Sequence, residues 1–341
     1  MEAIVLNGTN DVGLTSVPDP APQDGEVIIE VAATGLCGTD LHEYVAGPTF
    51  SQPPVVLGHE VSGRIVEVGA GVDQSRIGQG AAVIPMDFCG SCHYCHRSLY
   101  HLCQRPGWIG FTRNGGLANY VAVPSRLAVR VPDVVDLEEA ALTEPTAVAF
   151  HAVRRAELLL GETVMVLGAG ALGLTVIQCA RAAGAARIFV TEPSGVRASL
   201  ARDLGATLVL DPHDPGTTAC ILEETRGVGV DVVFHVAGSA EAFTQGLDCL
   251  RKQGRFMEMS SWAGAASLDV NRHLLKEIQL RMVFGYDMFD DFPAVLALIA
   301  DGKLALAPQI TARVPLDRAV KEGLGGLLEG REGLVKVLVK P

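Results

Sequence analysis

A short apolar run, Thr163–Leu167, ends in Gly168-Ala169-Gly170-Ala171-Leu172-Gly173, after which Leu172, Val176, Ile177 and Ala180 recur at helical spacing. A buried strand, a glycine turn and a helix in that order form half of a parallel βαβ unit. The first glycine permits the tight turn, the second lets backbone approach a pyrophosphate, and the third lets the helix pack closely on the strand. Strand and helix patterns then alternate through Arg187–Thr191, Arg197–Leu204, Asp231–Val236, Ala240–Leu250, Gly254–Met259 and Arg281–Tyr286. The expectation is an α/β fold with a Rossmann doubly wound parallel sheet over 150–288.

The glycine turn predicts a dinucleotide site at Gly168, Gly170, Ala171, Leu172 and Gly173, with phosphates at the helix N-terminus. Glu192 stands nineteen residues beyond Gly173, at the end of the next strand. Its carboxylate suits the adenosine ribose hydroxyls and repels a 2′-phosphate, and Pro193-Ser194-Gly195 brings no cation to offset that repulsion. NAD is therefore expected over NADP, with Arg197 flanking the adenine.

Residues 1–149 are organised differently. Val27–Val31, Val61–Val68, Ala118–Val123 and Leu127–Val131 read as partly alternating strands broken by glycine and proline, which suggests a rolled antiparallel sheet. A helix is expected at Phe292–Ala300, then an extended piece and a terminal strand, Val335–Val339. No internal repeat is visible.

Cys89, Cys92, Cys95 and Cys103 read C-x2-C-x2-C-x7-C. Four thiolates so spaced can close a tetrahedron around one structural zinc. His93, His96 and His101 lie among them and are expected to be surface residues. Cys179, Cys220 and Cys249 fall in helical segments and are expected to pack as small apolar groups. A second, scattered set is Cys37 in a glycine-flanked turn, His59 after Gly58, and Glu144 just ahead of the nucleotide segment. A thiolate, an imidazole and a carboxylate leave a fourth position open, as catalytic zinc requires.

Net charge is −12 in 341 residues, which argues against nucleic acid or an anionic membrane as partner. The start, Met1-Glu2-Ala3-Ile4-Val5, lacks the basic region of a signal peptide, and no apolar run is long enough to span a bilayer. A cytoplasmic enzyme is expected.

Gly58, His59, Glu60, Gly63, Gly69 and Val72 match Gly-His-Glu-x2-Gly-x5-Gly-x2-Val. With the cysteine loop and the glycine fingerprint in that order, the whole chain resembles the zinc-dependent medium-chain dehydrogenases. Cys37-Gly38-Thr39-Asp40-Leu41-His42-Glu43-Tyr44 and Ala141-Leu142-Thr143-Glu144-Pro145 are most similar to the (R,R)-2,3-butanediol and sorbitol dehydrogenase branch; threonine dehydrogenases share Cys-Gly-Thr-Asp-x-His. The resemblance implies a GroES-like β-barrel catalytic domain over 1–149, completed by 289–341. It implies two zinc ions per subunit, with Cys37 and His59 on the catalytic one, Glu144 approaching it directly or through water, and Glu60 beside it and able to exchange with it. Thr39 would contact the substrate oxygen and His42 would relay the proton outward. The implied activity is reversible NAD-dependent oxidation of a secondary alcohol, vicinal diol or polyol, in a homodimer or homotetramer. Amino-alcohol oxidation and a non-catalytic nucleotide-binding relative are the competing readings. The segment between Phe50 and Gly58 is shorter than in butanediol enzymes.

Overall fold

The computed structural model describes residues 1–262 and 264–341. The chain forms two compact units, Met1–Ala147 with Asp287–Pro341, and Val148–Tyr286.

In the first unit, Glu26–Gly35 is the central strand of a seven-stranded, mainly antiparallel sheet. It pairs with Glu60–Val68 on one side, and with both Tyr120–Pro124 and the C-terminal strand Lys336–Lys340 along its other edge. Gly80–Val83, Ala128–Arg130 and Ile310–Pro315 complete the sheet. A smaller sheet sets Glu2–Gly8 between Asp11–Ser16 and Val55–Val56. Ile4, Leu6, Leu36, Leu57, Leu117, Val337 and Val339 close a core between these strands. At about 1.5–3 kcal/mol per fully buried Val, Leu or Ile, that core holds the chain's end against its beginning.

This pairing has a local consequence. Leu338 lies opposite Gly35 and Val339 opposite Thr34, and Leu36 N donates to Val337 O at 2.9 Å. Lys336 therefore reaches the turn that carries Cys37. On the other side of the same strand, Gly35 lies opposite Glu60.

In the second unit, six parallel strands take the order Leu208–Leu210, Arg187–Thr191, Thr163–Leu167, Val230–His235, Leu250–Glu258, Gln279–Met282. In chain order this is 3-2-1-4-5-6, whose direction reverses between Thr163–Leu167 and Val230–His235. Ligands of such sheets bind at that reversal, beyond the strand C-termini. Val164, Met165, Val166 and Leu167 are fully buried, as a strand covered on both faces must be.

The expected strand at Arg281–Tyr286 is instead Gln279–Met282. Pairing stops at Glu258–Met282 because the neighbouring strand ends there, and Gly285 turns at φ +61. The first hairpin, Glu2–Gly8 with Asp11–Ser16, lies outside the strands expected from the sequence: its second strand is short and mostly exposed, with Val12 and Leu14 its only apolar residues.

Candidate active site and cofactor turn

Cys37 caps the helix Gly38–Val45, and its N–H donates to Asp40 Oδ2 at 2.9 Å. The other Asp40 oxygen lies 3.2 Å from His59 Nδ1, and both side chains are buried. A proton on Nδ1 donated to Asp40 leaves Nε2 free to bind a metal, the usual way a carboxylate fixes the tautomer of a ligating histidine. Burial works to lower the His59 pKa, but the charge and hydrogen bond of Asp40, with help from Cys37, raise it well above the ordinary imidazole value.

The donor atoms of Cys37, His59 and Glu60 all lie within 4.8 Å of one another. A thiolate, an imidazole and a carboxylate at that separation fit a zinc centre with three protein ligands. Glu144 lies outside that set. It occupies the first turn of the helix Thr143–Arg155, and its charge is felt at Lys336.

Lys336 is 3% exposed and Glu60 is 0% exposed. Lys336 Nζ donates to both carboxylate oxygens of Glu60 at 2.7 Å and to Leu36 O at 3.1 Å. Burial alone would lower the lysine pKa; the charges of Glu60 and then Cys37 more than offset this and raise it.

Thr39 is half-buried, with its Oγ1 3.6 Å from Cys37 Sγ. His42 is exposed one helical turn further on, on the same face as Thr39. Phe111 packs on the His59 ring at 4.9 Å, and Phe50 and Trp108 stack at 5.5 Å beside Phe111. Glu43, buried on the same helix as Thr39, accepts from the backbone N–H groups of Thr49, Phe50 and Ser51 and so fixes the loop bearing Phe50.

Asp40 and Lys336 went unmarked in the sequence. Asp40 left a faint signal, an acid at the third position of a helix that opens at Cys37. Lys336 left none, because its partner is 276 residues away.

In the cysteine loop, Cys92 Sγ is 3.5 Å and Cys89 Sγ is 4.0 Å from Cys95 Sγ. Four sulfurs at about 2.3 Å from a tetrahedral zinc stand about 3.8 Å apart, so the spacing fits. Backbone N–H groups of Cys89 and Arg105 both reach Cys103 Sγ at 3.4 Å. The backbone N–H of Ser91 helps hold the Cys89 thiol down to about 5, while burial and neighbouring sulfurs push Cys95 up to about 12. His93 and His96 are exposed and His101 is half-buried, and the set within this loop that could hold a metal is the four cysteines. All eight cysteines are free of disulfides; Cys179 and Cys249 are buried and Cys220 half-buried.

In the second unit, Gly168 has φ +97, and a Cβ on Gly173 would fall 2.0 Å from Gly168 O. Gly170 caps the helix Ala171–Ala182, leaving the N-terminal N–H groups available to phosphates. Glu192 is 5% exposed. Its oxygens accept from Ala169 N at 2.8 Å and Ser194 N at 2.9 Å, and Arg197 Nε lies 3.1 Å away. The carboxylate thus ties the glycine turn to the next strand. Two oxygens carry about four lone-pair sites, so acceptor capacity remains for a ribose hydroxyl.

The profile of the alcohol dehydrogenase GroES-like domain matches residues 23–133, and that of the zinc-binding dehydrogenases matches residues 171–301. An (R,R)-butanediol dehydrogenase of Bacillus subtilis is 34% identical over 353 aligned positions, covering all of both chains.

The chain belongs to the zinc-containing medium-chain alcohol dehydrogenase family.

An L-threonine 3-dehydrogenase of Pyrococcus abyssi is also 34% identical, over 96% of this chain and 95% of its own. A Sinorhizobium meliloti 1021 protein of this family, solved with NADP bound, superposes with a TM-score of 0.94 at 30% identity, over 100% of this chain and 99% of its own. The protein is thus a zinc-dependent dehydrogenase of alcohols or polyols that uses a nicotinamide cofactor. Among the described residues, no helix is long and apolar enough to cross a membrane.

Proposed function

We propose that the protein oxidises a secondary alcohol or vicinal diol reversibly with NAD, with 2,3-butanediol to acetoin as the leading reaction. The observation that carries this reading is the convergence of Cys37, His59 and Glu60, with Asp40 behind His59. A zinc held by Cys37 and His59 would supply Lewis acidity that lowers the alcohol pKa, and a bound nicotinamide would accept the hydride.

The chain's own groups do the rest. Thr39, beside Cys37, takes the proton of the substrate hydroxyl, and His42 passes it to solvent from the exposed end of the same helix face. Glu144, on the first turn of its helix, completes the ligand set directly or through water, and Glu60 is the alternate ligand.

Phe111, Phe50 and Trp108 beside His59 suit a carbinol carbon bearing methyl groups. They offer no charge to the ammonium and carboxylate of threonine, which is why the diol is preferred to the amino alcohol that the P. abyssi relative's name suggests. Glu192 supports NAD, because its buried carboxylate would oppose a 2′-phosphate. Gly168, Gly170, Ala171, Leu172 and Gly173 would receive the pyrophosphate, and Arg197 would lie along the adenine.

We also propose a homo-oligomer formed through the free edge of Gln279–Met282. Met282 is 72% exposed and Phe284, just beyond the strand, 49%, and the edge position of this strand in the sheet invites pairing with a second copy. Sedimentation as a monomer would contradict it.

The deciding experiment is a set of initial rates on the stereoisomers of 2,3-butanediol, sorbitol, L-threonine and 2-butanol, each with NAD+ and NADP+. The proposal expects the highest kcat/KM with (R,R)-2,3-butanediol and NAD+. A preference for threonine, or for NADP+, would overturn the corresponding part.

A further inference from the structure

Glu60 stands in two relationships at once. Its carboxylate is within metal-sharing distance of Cys37 and His59, yet both its oxygens are taken by Lys336 at 2.7 Å. An ammonium has three donor hydrogens, and Lys336 aims them at Glu60 and at Leu36 O. Neither side chain is open to water, so solvent cannot replace either partner.

The seat of this pair is built by three strands. The C-terminal strand lies along Glu26–Gly35 and delivers Lys336, while Glu60–Val68 lies along the other side and delivers Glu60. Gly35 faces Glu60, and a Cβ there would fall 2.0 Å from Glu60 Oε2 and 3.1 Å from Cδ. Any residue larger than glycine would push the carboxylate out of this notch.

A carboxylate bound on both oxygens by an ammonium is a poor ligand for a second cation, and the ammonium also repels that cation. Taking Lys336 away leaves a buried, uncompensated carboxylate, a costly arrangement in a low-dielectric interior. The nearest cation able to relieve it is the metal at Cys37 and His59.

We propose that Lys336 is a positioning residue that holds Glu60 back from the metal and so sets how readily the Cys37–His59 centre releases its ion. Lys336 touches neither substrate nor cofactor; it acts through Glu60. The proposal rests on reading Cys37 and His59 as metal ligands.

The test is zinc release from the purified holoenzyme into a chromogenic chelator, with zinc content measured first by mass spectrometry. The K336M variant removes the charge at similar length, and K336R keeps it. K336M should release the Cys37–His59 zinc about tenfold more slowly than wild type, K336R within about twofold of it, and the four-cysteine zinc unchanged in both. Cobalt-substituted K336M should show shifted d–d bands, reporting an added carboxylate ligand. A folded K336M that releases zinc at the wild-type rate or faster overturns the proposal. Should K336M not fold, E60Q carries the test: the lysine charge, now unopposed, should speed release about tenfold, and an unchanged rate overturns the proposal. A wild-type enzyme holding only the four-cysteine zinc would refute the metal-centre reading itself and this inference with it. An unaltered K336M with two zincs in the wild type refutes the inference alone.

Discussion

Asp40 Oδ1 lies 3.2 Å from His59 Nδ1, and both groups are buried. The contact makes Asp40 the orienting partner of a metal ligand while its second oxygen caps the helix at Cys37. Asp40→Asn keeps the shape and one acceptor but loses the charge. Zinc affinity of the Cys37–His59 centre should fall about 10- to 100-fold, the usual cost of losing such a partner. Competitive titration with a chelator measures it, and an unchanged affinity would remove Asp40 from the account.

Gly173 packs against Gly168 O so closely that a Cβ would sit 2.0 Å away. Backbone cannot yield as a flexible side chain can, so Gly173→Ala should open the turn proposed to receive the pyrophosphate. The Kd for NADH, followed by fluorescence, should rise at least about tenfold, at a stability cost of about 1–3 kcal/mol for overpacking. Wild-type NADH affinity in this variant would place the dinucleotide elsewhere.

Glu192 secures Ala169 N–H and Ser194 N–H as well as facing Arg197. Glu192→Ser removes the charge that opposes a 2′-phosphate and leaves Arg197 free to attract one. The ratio of kcat/KM for NADP+ over NAD+ should rise by about 10-fold or more. A constant ratio would show that this carboxylate does not select the cofactor.

The parts of this site that were legible in the sequence are those written in a few consecutive residues. The glycine turn and the cysteine loop each carry their geometry within about fifteen positions, so spacing alone forecast strand, turn and helix at Thr163–Ala182 and a set of converging sulfurs. Lys336 was invisible for the opposite reason. Its role depends on the C-terminal strand pairing beside Gly35, and period-two alternation says that a strand has a buried face without saying which strand lies next to it. Asp40 falls between these cases: its helix is local, but its partner His59 arrives from the distant turn just ahead of the strand Glu60–Val68.

Glu138 accepts from Lys340 Nζ and from Arg313 Nε, each at 2.6 Å, and these contacts, Lys340 first, hold its carboxyl below the usual glutamate value. A lowered folded-state pKa stabilises the protein above the unfolded value of about 4.3, and the benefit is lost as pH falls through the folded value. Both cations are about half exposed, so the net effect is about 1 kcal/mol or less. Glu138→Gln should therefore be less stable than wild type at pH 7 in urea, with the two curves converging in acid. A gap that persists at pH 2 would mean that the loss is packing rather than charge.

The central claim is that two separate metal centres exist and that the one at Cys37 carries the chemistry. Zinc content and alcohol-dependent NADH formation, measured together on wild type and Cys37→Ser, test it most directly. The account expects two zincs per chain in the wild type, and in the variant one zinc, retained fold and at least about a thousandfold loss of turnover. A Cys37→Ser protein that keeps two zincs and oxidises the diol at the wild-type rate would contradict it.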